Sequence, residues 1–118
     1  MGRAESALKS QEKALDTIRG FMKDVEETCR MHQLKLVEAY IVGSRARGDY
    51  TEESDIDIVL IVEGVENMNM LQRLTLFKET LKPGIDLKIY TKKEWESNLT
   101  WIKEHRREAK PIRKLLES

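Results

Sequence analysis

Apolar side chains recur through the first quarter of the chain at Leu8, Leu15, Ile18, Met22, Val25 and Cys29, with Phe21 beside them. Steps of seven, three and four residues fall on one side of a helix, so residues 6 to about 32 are predicted to form a long amphipathic helix. Ser6 is its candidate cap. The pattern then changes. LKLVEAYIVGS is rich in β-branched and aromatic residues and stops at Gly43, which predicts a strand over about 35–42. DIDIVLIVEG predicts a second strand over about 56–62, apolar on both faces at its far end, as in a strand buried within a sheet. Met68, Leu71, Leu74, Phe77, Lys78 and Leu81 mark a helix that Pro83-Gly84 terminates. IDLKIY, residues 85–90, is a third strand. The remainder, KKEWESNLTWIKEHRREAKPIRKLLES, reads as one or two helices with a break or bend at Pro111.

The order α-β-β-α-β-α predicts an α/β or α+β fold, a small β-sheet packed with helices. A chain of 118 residues has room for one hydrophobic core, so residues 1–118 are expected to form a single domain.

Composition narrows the function classes. Hydrophobic residues make up 40% and charged residues 36%, which fits a soluble globular protein and neither a disordered nor a membrane chain. No apolar run approaches the roughly 20 residues that cross a bilayer, and MGRAESALKSQEK lacks the apolar core of a secretory signal. The single cysteine, Cys29, excludes an internal disulfide framework, and a reducing cytoplasm is the expected compartment. Twenty-one basic and 21 acidic residues cancel, so nucleic acid is not drawn by net charge. The distribution is uneven: the tail WIKEHRREAKPIRKLLES is basic and the segment GDYTEESDID is acidic. That acidic cluster is where metal chemistry is to be sought.

Three features converge there. Asp55 and Asp57 flank Ile56 at the start of a strand, so both carboxylates point to the same face, roughly 7 Å apart along the chain. Two such carboxylates repel unless a cation lies between them, and oxygen-only ligands favour Mg²⁺ or Mn²⁺ over zinc. Asp86 opens the third strand and shares a face with Lys88 and Tyr90. If the strands pair in the obvious register, Asp86 joins the pair, and three carboxylates can serve the two ions used in phosphoryl or nucleotidyl transfer. Gly43 ends the first strand and lets the backbone come close to a ligand. Ser44 supplies a hydroxyl at the start of a short helical turn, and Arg45 and Arg47 add positive charge for a phosphate.

Gly43-Ser44, ten residues, then Asp55-x-Asp57, within IVGSRARGDYTEESDIDIVLIV, resembles the signature of the minimal nucleotidyltransferase family of the DNA polymerase β-like superfamily. The likeness covers about residues 36–91, with Asp86 where the family's third carboxylate is expected. It implies a polymerase β-like fold with a mixed sheet. It implies triphosphate held at Gly43 and Ser44 and metals on Asp55, Asp57 and Asp86, with Asp86 also placed to help deprotonate the acceptor; Arg47, by its charge and place in the turn, is a further candidate for the nucleotide. Family members of this size are often antitoxins of HEPN-domain toxins, and some transfer AMP from ATP to a tyrosine of the toxin. The expected activity is therefore Mg²⁺-dependent transfer of a nucleoside monophosphate, from ATP, to a HEPN-type partner protein. A non-catalytic toxin-binding module is the alternative, and so is a homodimer that builds a small-molecule acceptor pocket.

Plainer readings stand beside these. Arg45 and Arg47 suit a solvated turn, and Arg47 suits an ion pair with a nearby carboxylate equally well. Lys88 reads as a surface lysine and Tyr90 as packing. His32 and His105 lie outside the motif and are expected at the surface, with no partners at zinc-ligand spacing. Cys29 belongs to the core stripe. Trp95 and Trp101 are expected to anchor the last helices on the sheet. The basic tail reads as a solvated helix face, with docking of RNA or of an acidic partner as its alternative.

Overall fold

A computed structural model of the chain describes residues 3–117, and its side chains from residue 8 onward. Helix α1 runs over Arg3–Met31, strand β1 over Lys35–Val42 and the one-turn helix α2 over Ser44–Arg47. Strand β2 spans Ile56–Glu63, helix α3 Met70–Leu76, and strand β3 Ile85–Tyr90. Helices α4 (Lys92–Trp95) and α5 (Thr100–Glu108), a two-residue strand β4 (Lys110–Pro111) and helix α6 (Ile112–Leu116) follow among the described residues. The four strands form one mixed sheet in the order β3-β2-β1-β4. Strand β1 is antiparallel to β2 and to β4, whereas β2 and β3 are parallel. The α/β class and the interior position of β2 hold as expected.

Strand alternation decides what each face meets. Ala39, Ile41, Ile56, Ile58, Leu60, Val62, Leu87 and Ile89 join the buried stripe of α1, formed by Ala14, Ile18, Phe21, Val25 and Cys29. Phe21 is fully buried, worth about 3 kcal/mol of hydrophobic stabilisation. On the other face, Val42, Val59, Ile61 and Tyr90 pack against Trp95 and Ile102 of α4 and α5. Both faces of the centre are therefore covered, and the aspartates of β2 and β3 lie at the beginnings of their strands.

Four expectations change. Helix α1 begins at Arg3, so Ser6 lies inside the helix and not at its cap. The stripe centres on Phe21, with Met22 half-buried and Leu8 exposed to solvent. The helix expected from Met68 to Leu81 is shorter, because Asn69 caps α3 through a capping box with Gln72 and the helix gives way to a 3₁₀ turn at Lys78–Thr80. Pro111 does not merely break a helix. With Lys110 it adds an edge strand, Tyr40 opposite Pro111 and Ile41 opposite Lys110, and an edge is where a residue without an N–H is tolerated.

Candidate active site

The charged end of the sheet is assembled by register. Asp57 lies opposite Asp86 across the parallel pair, and opposite Val42, the last residue of β1. A hydrogen bond from the Ile56 amide to the Gly84 carbonyl, 2.7 Å, ties the beginnings of β2 and β3 together. Neighbouring strands lie about 4.8 Å apart, so Asp57 and Asp86 are side by side on one face. Asp55 precedes the strand by one residue. Its loop is pinned by Arg45, whose guanidinium donates to the Ser54 carbonyl at 3.1 and 2.9 Å, to Gln11 Oε1 at 3.0 Å and to Ser10 Oγ at 2.9 Å. Arg45 is only 7% exposed and also lies over the Tyr50 ring. It is a strut between α1 and the acidic loop, which neither of its two sequence readings, charge for a phosphate or a solvated turn, describes.

Asp57 also touches the glycine turn. Gly43 has φ 74° and ψ −155°, a conformation closed to other residues, and a Cβ added there would collide with Asp57 Oδ2 and stand 3.2 Å from its Cγ. The Asp57 carboxylate thus rests against the backbone that leads into Ser44. Helix α2 is a single turn, closed by the Ala46 and Arg47 amides on the Gly43 carbonyl and ended by Gly48 in the left-handed region.

Like charge shows in the electrostatics. Burial first, then the charges of Asp86 and Asp55, push the Asp57 carboxyl above its ordinary value, while His105 and Lys88 pull weakly the other way. Lys88 Nζ stands 3.9 Å from Asp86 Oδ2, so this lysine faces the site. Among the described residues, no three His, Cys, Asp or Glu side chains are gathered tightly enough to hold a metal ion on their own. Magnesium does not demand that. It commonly takes one or two carboxylates and completes its shell with water and substrate phosphates. Carboxylates side by side at one sheet end, with oxygen donors alone, suit a hard divalent cation.

Two residues outside the expected site complete the surroundings: Glu108, which the sequence does not single out, and His105, expected at the surface. Glu108, the last residue of α5, accepts from the Gly43 amide at 2.8 Å and from Arg47 Nη1 at 2.8 Å. Partial burial opposes its charge, but those hydrogen bonds outweigh burial and hold its carboxyl below the ordinary range. His105, one turn earlier, is half-buried with its Nδ1 3.7 Å from Glu108, so it belongs at the site and not on the open surface. Nothing in the local pattern of WIKEHRRE marks either, because the partners of Glu108 are 65 and 61 residues away and His105 reaches the site beside Glu108. His32 is exposed as expected. Tyr90 is packing: it is buried beside Trp95 and Trp101, and burial, then Glu94 and Asp86, push its hydroxyl up to about 12. Trp95 anchors α4, whereas Trp101 remains 47% exposed.

A mixed sheet with paired aspartates at one end, touching a glycine-serine turn that opens a helix, defines the polymerase β-like nucleotidyltransferases. The chain belongs to the nucleotidyltransferase domain family, whose model matches residues 22–117. A predicted protein adenylyltransferase of Methanocaldococcus jannaschii is 33% identical over 60 residues, 51% of this chain and 58% of its own length. The chain thus spans little more than half of that relative. A second predicted protein adenylyltransferase of the same organism is 30% identical over 95 residues, covering 69% of this chain and 97% of its own. The crystal structure of a predicted nucleotidyltransferase from Sulfolobus solfataricus superposes with a TM-score of 0.71 at 31% identity, over 94% of this chain and 89% of that one.

Proposed function

We propose that this protein is a Mg²⁺-dependent adenylyltransferase that moves AMP from ATP onto a hydroxyl of a partner protein. The observation that carries the reading is the Asp57–Asp86 pairing against Gly43. It brings an acidic cation site and a close-approach turn to one sheet end. Asp55, Asp57 and Asp86 are the residues that would hold Mg²⁺, or Mn²⁺ in its place. The cation would supply charge neutralisation on the phosphates and acidify the acceptor hydroxyl. Ser44 and the Gly43 turn hold the triphosphate, and Arg47 offsets its charge. Asp86, on the outer strand, takes the proton from the acceptor hydroxyl. The acceptor oxygen then bonds to the α-phosphorus, the bond from that phosphorus to the bridging oxygen breaks, and pyrophosphate leaves.

A protein acceptor is favoured because the two archaeal relatives are predicted protein adenylyltransferases, and the family resemblance points to a HEPN-type toxin in particular. The test is incubation with ATP labelled at the α-phosphate, Mg²⁺ and the protein encoded by the neighbouring gene. Label is expected on that protein, and none with Asp55→Asn or Asp57→Asn variants that remain folded. Wild-type incorporation by both variants would refute the site. Tight binding of the partner without label would favour the non-catalytic module, and label on a small molecule with a dimeric protein would favour the homodimer reading.

A further inference from the structure

We propose that Glu108 is a positioning residue that holds the Gly43–Arg47 turn in the shape a triphosphate requires; this rests on the nucleotidyltransferase reading. The argument begins with the turn. Gly43 is the residue least able to hold one conformation unaided, and it occupies φ 74°, ψ −155°. Its carbonyl is fixed by α2, but its amide is fixed only from outside, by Glu108 Oε1 at 2.8 Å. The second oxygen of the same carboxylate takes Arg47 Nη1, also at 2.8 Å. One side chain from α5 therefore fastens both ends of the segment, across 65 and 61 residues of sequence.

Glu108 also sets where Arg47 points. Arg47 side chain is 47% exposed, and a long exposed arginine otherwise samples many rotamers. Asp49 takes Nε at 3.2 Å and Glu108 takes Nη1, which aligns the fork. A guanidinium carries five N–H donors, so donors remain for a phosphate oxygen after both carboxylates are served. With the Gly43 amide committed to Glu108, the turn keeps the Ser44 hydroxyl and Arg47 among its groups for phosphate oxygens. A carboxylate so close to the triphosphate could instead act as an internal competitor for Arg47, and the two roles predict opposite changes in KM.

The test compares Glu108→Ala with Glu108→Gln, which keeps one acceptor oxygen, enough for the Gly43 amide, and puts an uncharged NH2 donor where the carboxylate received Arg47. For Glu108→Ala, KM for ATP is expected to rise about tenfold, the effect of losing a charge-assisted hydrogen-bond pair, with kcat changed less than about twofold. Glu108→Gln is expected to fall between Ala and wild type. Hydrogen exchange of the Gly43 amide, followed by NMR without nucleotide, is expected to speed up in the Ala variant and to be largely restored in the Gln variant. An unchanged or lower KM in the variants, or unaltered Gly43 exchange in the Ala variant, overturns the proposal. If the Ala variant does not fold, the Gln variant decides: an unchanged or lower KM overturns it, a rise supports it. Amide exchange needs no transfer reaction, so a wild-type protein that transfers nothing sinks the functional reading while the exchange measurement still judges Glu108.

Discussion

The two ends of the β2–β3 pair handle charge in opposite ways. At the far end Arg73 is 3% exposed and fully engaged. It donates to the Val65 carbonyl at 3.2 Å, to the Ile89 carbonyl at 2.9 Å, and to both oxygens of Glu94 at 2.6 and 3.2 Å. Glu94 in turn closes the capping box of α4 with Thr91. At the near end Asp55, Asp57 and Asp86 crowd together, with one lysine, Lys88, 3.9 Å from Asp86. A buried charge that serves the fold is surrounded by partners. The near-end aspartates are left partly uncompensated, as the proposed cation site requires. The difference separates a satisfied buried charge from a crowded acidic cluster in a molecule whose net charge is zero.

The largest expected effect tests the far end. Arg73→Met keeps much of the side-chain volume but strips the Val65 and Ile89 carbonyls and Glu94 of their donor. Unpaired buried acceptors and a broken buried pair together are expected to cost about 3 kcal/mol in urea or thermal unfolding. A loss below about 1 kcal/mol would mean that Arg73 is not the anchor its contacts suggest. The near end is expected to respond with the opposite sign. Asp57→Asn removes one of three like charges and should raise Tm by about 3 °C, a shift typical of a fraction of a kcal/mol in a domain of this size. A fall in Tm would show that the Asp57 carboxylate is held by attraction rather than strained by repulsion.

How much of this contrast the sequence reveals depends on range. Strand β3 and its alternation are plain in IDLKIY, and so is the Asp55-x-Asp57 pair, because a period of two is local information. The pairing of Asp57 with Asp86 is one step further, since it needs a register, but two buried apolar strands leave few registers open. Arg45, Arg73, His105 and Glu108 are different. Each looks like a surface charge in its own segment, and each acquires its role from partners across the fold, such as Ser10 and Gln11 for Arg45. Strand β4 escapes for a related reason. Two residues carry no periodicity, and Lys110-Pro111 becomes a strand only because the edge of β1 is there to receive it.

The smallest effect sharpens the comparison by titration. At the far end, burial disfavours the Glu94 charge, but the bonds from Arg73 and the Thr91 amide prevail and hold its carboxyl below 4.5. Its contribution is present above that value and is lost as pH falls through the lowered one. Glu108 acts in the same direction. At the near end Asp57 is held above 3.8 by burial, Asp86 and Asp55. Its folded form binds a proton more readily than the unfolded chain does, so stability rises as pH falls through that raised value. Acidification should therefore relieve the near end as pH falls through the raised Asp57 value and weaken the far end as it falls below 4.5. Thermal melts followed by circular dichroism are expected to show a decline of Tm in acid that the relief at Asp57 partly offsets in the wild type. In Asp57→Asn the offset should vanish and the acid decline be steeper. Superimposable profiles for the two proteins would show that repulsion among the aspartates does not reach the stability of the fold, and the contrast between the two ends would fail.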